Sequence, residues 1–232
     1  DGPLHPGGEE ATAALLDRAD VDADTRLLDV GCGARNALAL ARDRGAVAWG
    51  VDRTLEPGSE SGPVSGPEPT AGAGSGRTVR GDATALPLRD GSVDVVLAEC
   101  VLCLTGLPDA LAEAERVLAG GGRLAVSDVV VEGDAPAVPD RVARALCLTG
   151  ARSRADLTGC VERAGFVVEG VRDHRDDLLA MRDRVRERVD YGPLLGAMGD
   201  RGREVLAGIE ALEDALEDGR VGYVSLVARR DV

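Results

Sequence analysis

Strand-like apolar runs alternate with amphipathic helical segments along this chain, and each of the first three runs closes on glycine or aspartate. Arg26-Leu-Leu-Asp-Val30 ends at Gly31-Cys-Gly33, Val47-Ala-Trp-Gly-Val51 at Asp52, and Thr78-Val-Arg-Gly-Asp82 on its own aspartate. Alternation of this kind builds a doubly wound α/β domain, a mostly parallel sheet with helices on both faces. Ligands of open α/β sheets bind at the carboxyl ends of the strands, so three polar strand ends in succession mark that edge as the candidate site.

The rest of the chain continues the pattern. An opening helix is expected at about 9–19, a helix at 37–44, a strand at 93–98, and a helix at 108–118 that Gly120-Gly-Gly122 breaks. A strand at 123–128, a Ser153-capped helix at 153–164 and a strand at 166–171 follow. Two charged helices, 176–189 and 202–216, precede a closing strand at 221–228. The expected organisation is one domain, 1–232: an N-terminal helix within 1–24, a flexible Gly/Pro/Ser-rich insertion at 54–78 too poor in apolar residues to order itself, and a helical cap at 176–217 over the substrate entrance.

With 41 acidic and 27 basic residues the net charge is -14, which repels nucleic acid and anionic lipid. No apolar run is long enough to span a membrane and no signal-like start is visible, so a cytoplasmic protein is expected. The composition leaves the oligomeric state open. Five cysteines (Cys32, Cys100, Cys103, Cys147, Cys160) then read as free thiols, and the lone C-x2-C pair fits no zinc finger.

The turn Asp29-Val-Gly-Cys-Gly33 lets a ligand approach backbone closely beside a helix start. Position 36 is Asn where a dinucleotide fingerprint needs glycine, which disfavours NAD or FAD. Asp52 can accept from ribose hydroxyls and Asp82 from an adenine amine; as plain residues both also read as turn formers.

In combination, D-V-G-C-G, G-V-D, G-D-A-x-x-L-P-x-x-D-G-S-x-D-V-V and E-R-V-L-x-G-G-G-R-L over about 26–130 resemble class I methyltransferases. The resemblance implies a Rossmann-like, seven-stranded sheet whose last strand is antiparallel, and S-adenosylmethionine as cofactor. It implies Asp29, Gly31, Cys32 and Gly33 at the methionine moiety, Asp52 at the ribose, and Asp82 with Ala83 at the adenine; Arg53 and Glu99 join the cofactor-binding set. Arg35 departs from the usual glycine of G-C-G-x-G.

A narrower similarity joins Glu99-Cys-Val-Leu-Cys-Leu104, Ala145-Leu-Cys-Leu-Thr-Gly-Ala151 and His5-Pro-Gly-Gly8 to arsenite methyltransferases. It implies Cys100 and Cys147, with Cys103 as an extra thiol, as the catalytic set holding a metalloid substrate; Glu99 replaces the usual Asn. Trivalent arsenic is soft and thiophilic, which suits thiolate ligands. As core residues the same cysteines are equally ordinary, and Cys160 reads as core. Three readings stay open: transfer to thiolate-held arsenic, transfer to O, N or C of another small metabolite, and a non-catalytic S-adenosylmethionine or metalloid binder. His174 is expected on a charged surface or paired with a carboxylate.

Overall fold

The computed structural model describes residues 5–33, 36–55, 78–188, 195–196 and 198–231. In chain order these form α1 (Gly8–Arg18), β1 (Arg26–Val30), α2 (Asn36–Asp43), β2 (Val47–Asp52), β3 (Thr78–Arg80), β4 (Val93–Glu99), α3 (Leu107–Val117), β5 (Leu118–Val131), α4 (Asp140–Ala145), α5 (Arg154–Arg163), β6 (Phe166–Asp173), α6 (Arg175–Arg188), α7 (Asp200–Glu217) and β7 (Val221–Arg230). The strands make one seven-stranded sheet ordered β3-β2-β1-β4-β5-β7-β6. Neighbours from β3 to β5 pair in parallel, and β7 inserts antiparallel between β5 and β6. The doubly wound, Rossmann-like architecture is therefore as the sequence implied.

Successive strand side chains face opposite sides of a sheet, so an all-apolar strand feeds two cores. Leu28 and Val30 of β1, with Val96 and Ala98 of β4, pack into the core that α3 and α5 cover. Leu27, Val95 and Leu97 pack the other way, with Leu15, Leu16 and Leu38 of α1 and α2. In α3, Leu107, Ala110, Leu111, Ala114 and Val117 recur at three and four residues and are buried; truncating Leu111 to alanine costs about 2–5 kcal/mol. Arg26 pins the register of β1 on β4, giving Asp94 a fork of bonds at 2.9 and 2.7 Å from its guanidinium.

Two details differ from expectation. The glycine triplet does follow the end of α3, yet it lies inside β5: Val93 pairs with Leu118 and Val95 with Arg123, so 119–122 loop out of the ladder as an irregularity. Helix α4 is additional; it has no buried residue and so no apolar stripe to announce it. Helices α6 and α7 lie with Leu148, Val131 and Val221 in a third, smaller core beyond the ends of β5 and β7. Most of the 54–78 segment lies outside the described residues, as does Arg35. No helix among the described residues is long and apolar enough to cross a membrane.

Candidate active site

At the carboxyl edge of the sheet, β1 turns sharply at Gly31, whose φ of 77° is left-handed. A Cβ there would stand 2.2 Å from Cγ2 of Val101, so only glycine lets the turn pass under the loop after β4. The Gly31 amide donates to the Val51 carbonyl at 2.7 Å, and the Gly33 amide to Asp52 Oδ2 at 3.0 Å. The other Asp52 oxygen accepts from the Thr54 amide and hydroxyl, both at 2.7 Å. Partial burial opposes ionisation of Asp52, but these bonds outweigh it and hold the carboxyl below its usual range. Asp82 repeats the device with the Thr84 amide and hydroxyl, at 3.0 and 2.8 Å, and its carboxyl is likewise held low. Arg53 lies 3.7 Å from Asp82 across the rim.

These groups border a cleft of about 760 Å³. Gly31, Asp52, Arg53, Asp82, Ala83, Glu99 and Cys100 line it, with Val101 and Leu104 as apolar wall. Asp29 and Cys32 do not. Asp29 is fully buried below the glycine turn, where desolvation, then the charges of Glu99 and Asp52, push its carboxyl up to about 8. The Cys32 side chain packs in the α1/α2 core against Gly50, so what it offers a cleft ligand is backbone. Among the described residues, none of α6 or α7 lines this cleft.

Beyond Gly31 the edge becomes buried and polar. Glu99 ends β4; Thr12 of α1 donates to its two oxygens at 3.2 and 3.1 Å, and Ser127 of β5 donates at 3.3 Å. His5 Nε2 lies 3.8 Å away. Burial raises the Glu99 carboxyl, with His5 and the hydroxyl donors working against the shift. The Tyr223 hydroxyl donates to Ser127 Oγ at 2.7 Å, and its ring stacks on His5 with centroids 6.4 Å apart. His174 is buried, contrary to a surface role, and sits between Ser225 Oγ (2.8 Å) and the Asp177 carboxylate (2.9 Å), keeping the expected acidic partner.

Three thiols meet next to this network. Cys100 follows β4, Cys103 lies in a 3₁₀ turn at Leu102–Leu104, and Cys147 follows α4. Both Cys100 and Cys147 hold left-handed backbone, φ 54° and 59°, a conformation that costs a residue with a Cβ about 1–2 kcal/mol. Gly150 brings the second loop in: a Cβ there would lie 2.0 Å from the Cys103 carbonyl oxygen. The Cys147 sulfur contacts the Cys100 and Cys103 thiols, and bonds from those two hold it well below the ordinary thiol range. The same contacts, with burial and the nearby Asp128 charge, push Cys100 and Cys103 far up. One thiolate therefore forms readily and its charge keeps the other two protonated. Asp128, buried and raised to about 6 by desolvation, accepts the Cys103 amide at 2.9 Å. Among the described residues no group of three or more His, Cys, Asp or Glu is arranged to hold a metal ion, so the thiols meet as a hydrogen-bonded cluster.

Sequence reading missed Tyr223, Ser127, Thr12 and Asp128. Asp128 carried a signal, being one more acidic strand end; the strand alternation puts Tyr223 and Ser225 on one face, but nothing in it points to Cys100.

A methyltransferase-domain family matches residues 28–126. Along 97% of its length this chain is 32% identical to methyltransferase GfsG of Streptomyces halstedii, covering 81% of that protein. The chain belongs to the class I S-adenosylmethionine-dependent methyltransferases. This methyltransferase is also 32% identical to an arsenite methyltransferase of Halobacterium salinarum, over 46% of its own length and 28% of the relative's. Its fold is shared by the geranyl diphosphate C-methyltransferase of Streptomyces coelicolor A3(2), with a TM-score of 0.69 at 19% identity, covering 96% and 79% of the two chains.

Proposed function

We propose that this methyltransferase transfers a methyl group to trivalent arsenic held by Cys100 and Cys147, with Cys103 as a third thiol. The observation that carries the reading is the convergence of three cysteines, two of them on strained backbone, of which Cys100 lines the cleft.

The cleft fits the donor. Its volume lies in the range of small-molecule sites. Asp52 and Asp82 stand ionised where hydroxyl and amine donors of an adenosyl group would meet them, with Ala83 and Arg53 beside Asp82. Gly31 supplies close backbone approach, and the Glu99 carboxylate gives the inner end a field that favours a cation. The donor supplies an electrophilic methyl group. The chain's task is then positioning: the Cys147 thiolate is the first ligand for a thiophilic acceptor, Cys100 places that ligand at the cleft wall, and the apolar Val101 and Leu104 limit water.

Incubation of the enzyme with arsenite, a thiol reductant and S-adenosylmethionine should yield methylated arsenic by mass spectrometry. Its absence at any enzyme concentration overturns the reading.

A second reading, transfer to O, N or C of an organic metabolite, draws on the near full-length similarity to GfsG, against 46% of this chain for the arsenite enzyme. It requires that serine at both Cys100 and Cys147 leave turnover of that metabolite intact.

A further inference from the structure

The thiol cluster has an unequal supply of charge. Cys147 ionises readily, but Cys100 lies half-buried beside it and near Asp128, so a second thiolate forms only if its proton has somewhere to go. The hydrogen bonds around Cys100 provide a directed route. Its S–H can donate to the Tyr223 hydroxyl at 3.6 Å, the Tyr223 O–H donates to Ser127 Oγ at 2.7 Å, and the Ser127 O–H donates to Glu99 Oε1 at 3.3 Å. All three bonds run the same way, from a thiol to a half-buried carboxylate at the cleft wall. The members come from four places: the loop after β4, β7, β5 and the end of β4, with Ser127 the register partner of both Glu99 and Ser225.

We propose that Tyr223, Ser127 and Glu99 form a proton relay that deprotonates Cys100 once Cys147 has engaged a thiophilic acceptor. The proposal rests on the reading of Cys100 as an acceptor ligand. Two proton arrangements fit the cluster. With Cys147 ionised and free, the S–H of Cys100 turns onto it; with Cys147 protonated, its own S–H points to the Cys100 carbonyl oxygen at 3.6 Å and Cys100 points to Tyr223. Bonding of Cys147 to an acceptor likewise occupies its sulfur lone pairs and frees the Cys100 S–H for Tyr223. Transfer then breaks the S–H bond of Cys100 and forms an O–H bond on Tyr223, whose former proton passes to Ser127 and whose neighbour's passes to Glu99. The tyrosine O–H is left pointing at the new thiolate, which it stabilises. The Cys100 sulfur bonds to the acceptor, an acceptor hydroxide leaves, and the proton on Glu99 joins it as water, with no change of oxidation state.

The surroundings suit the direction of transfer. Burial makes Glu99 a stronger base than a surface carboxylate, narrowing the gap to a thiol. Glu99 faces His5 from the N-terminal segment, Thr12 from α1, Asp29 from β1 and His174 from the β6–α6 junction. Cys100 faces Cys147, Asp128 and Tyr223. Cys100 and Glu99 both line the cleft, so a small alkylating reagent reaches the thiol.

Iodoacetamide alkylation in a C147A background, where the Cys100 S–H has no Cys147 thiolate to turn onto, followed residue by residue with peptide mass spectrometry from pH 6 to 10, tests the relay without arsenic or methyl donor. When Y223F, S127A or E99Q is added to that background the Cys100 rate near neutral pH should fall about tenfold, with its pH midpoint moving up by about one unit, while Cys160 reacts as before. Unchanged Cys100 rates in all three variants overturn the proposal. A fall in Y223F alone also overturns it, since Tyr223 is then only a local hydrogen-bond donor. A parallel fall at Cys160 marks a disturbed fold in that variant, and the Cys100 rates of the other two then decide. Because the readout is a thiol, failure to methylate arsenite leaves this result standing.

Discussion

At the ends of β2 and β3, Asp52 and Asp82 each bond a threonine two positions along the chain. At the ends of β4, β5 and β7 the polar groups reach much further: Cys147 meets the Cys100 carbonyl across 47 residues, and Cys100 meets Tyr223 across 123. The outer half is exposed, ionised and assembled locally. The inner half is buried and strained, and it depends on the whole sheet being closed. A site made from local turns can hold its ligand geometry cheaply and be reused, whereas one made from distant segments ties its chemistry to one fold and one acceptor.

The sharpest way to break this comparison is at the thiols. The double variant C100S/C147S should lose methylated arsenic on the order of a hundredfold, while calorimetry shows S-adenosylhomocysteine bound as before. Loss of both together would mean that the two halves are one unit.

Asp29 sits beneath both halves. Its unfolded carboxyl ionises near pH 4 while the native one holds its proton to about 8. The unfolded state therefore sheds its proton first, and Asp29 lowers stability as pH rises through that window by up to about 1.4 kcal/mol per unit, levelling above it. D29N should remove this fall in urea unfolding measured from pH 5 to 8. Parallel curves for parent and variant would show that Asp29 is not held neutral.

On the outer rim, D52N keeps its neighbours but loses a charged acceptor. S-adenosylhomocysteine affinity should drop about tenfold, near 1.4 kcal/mol, with Cys100 alkylation unaltered. The smallest effect belongs to Cys160, which packs half-buried against the α3/α5 core and accepts from Arg163 at 3.1 Å. C160S should change stability and turnover by less than about 1 kcal/mol. A larger loss would add it to the inner half.

The same contrast explains what the sequence disclosed. Apolar runs ending in glycine or aspartate are local signals, and they located β1 to β3 and the rim carboxylates within a residue or two. The thiols were visible as residue types in two short segments, but their meeting depends on Gly150 admitting one loop against the other. Tyr223 read only as an apolar member of β7, because its partner Ser127 is defined by antiparallel register, which alternation does not specify. His174 was misplaced for a similar reason: its neighbours Arg172, Asp173 and Arg175 are exposed or nearly so, and the histidine alone turns inward.

The left-handed backbone at Cys100 and Cys147 bears on what this protein would become under a different pressure. Glycine, or to a lesser degree asparagine, adopts that geometry with little penalty. Laboratory selection for heat resistance alone should drift toward those residues at both positions, giving tougher proteins with silent centres.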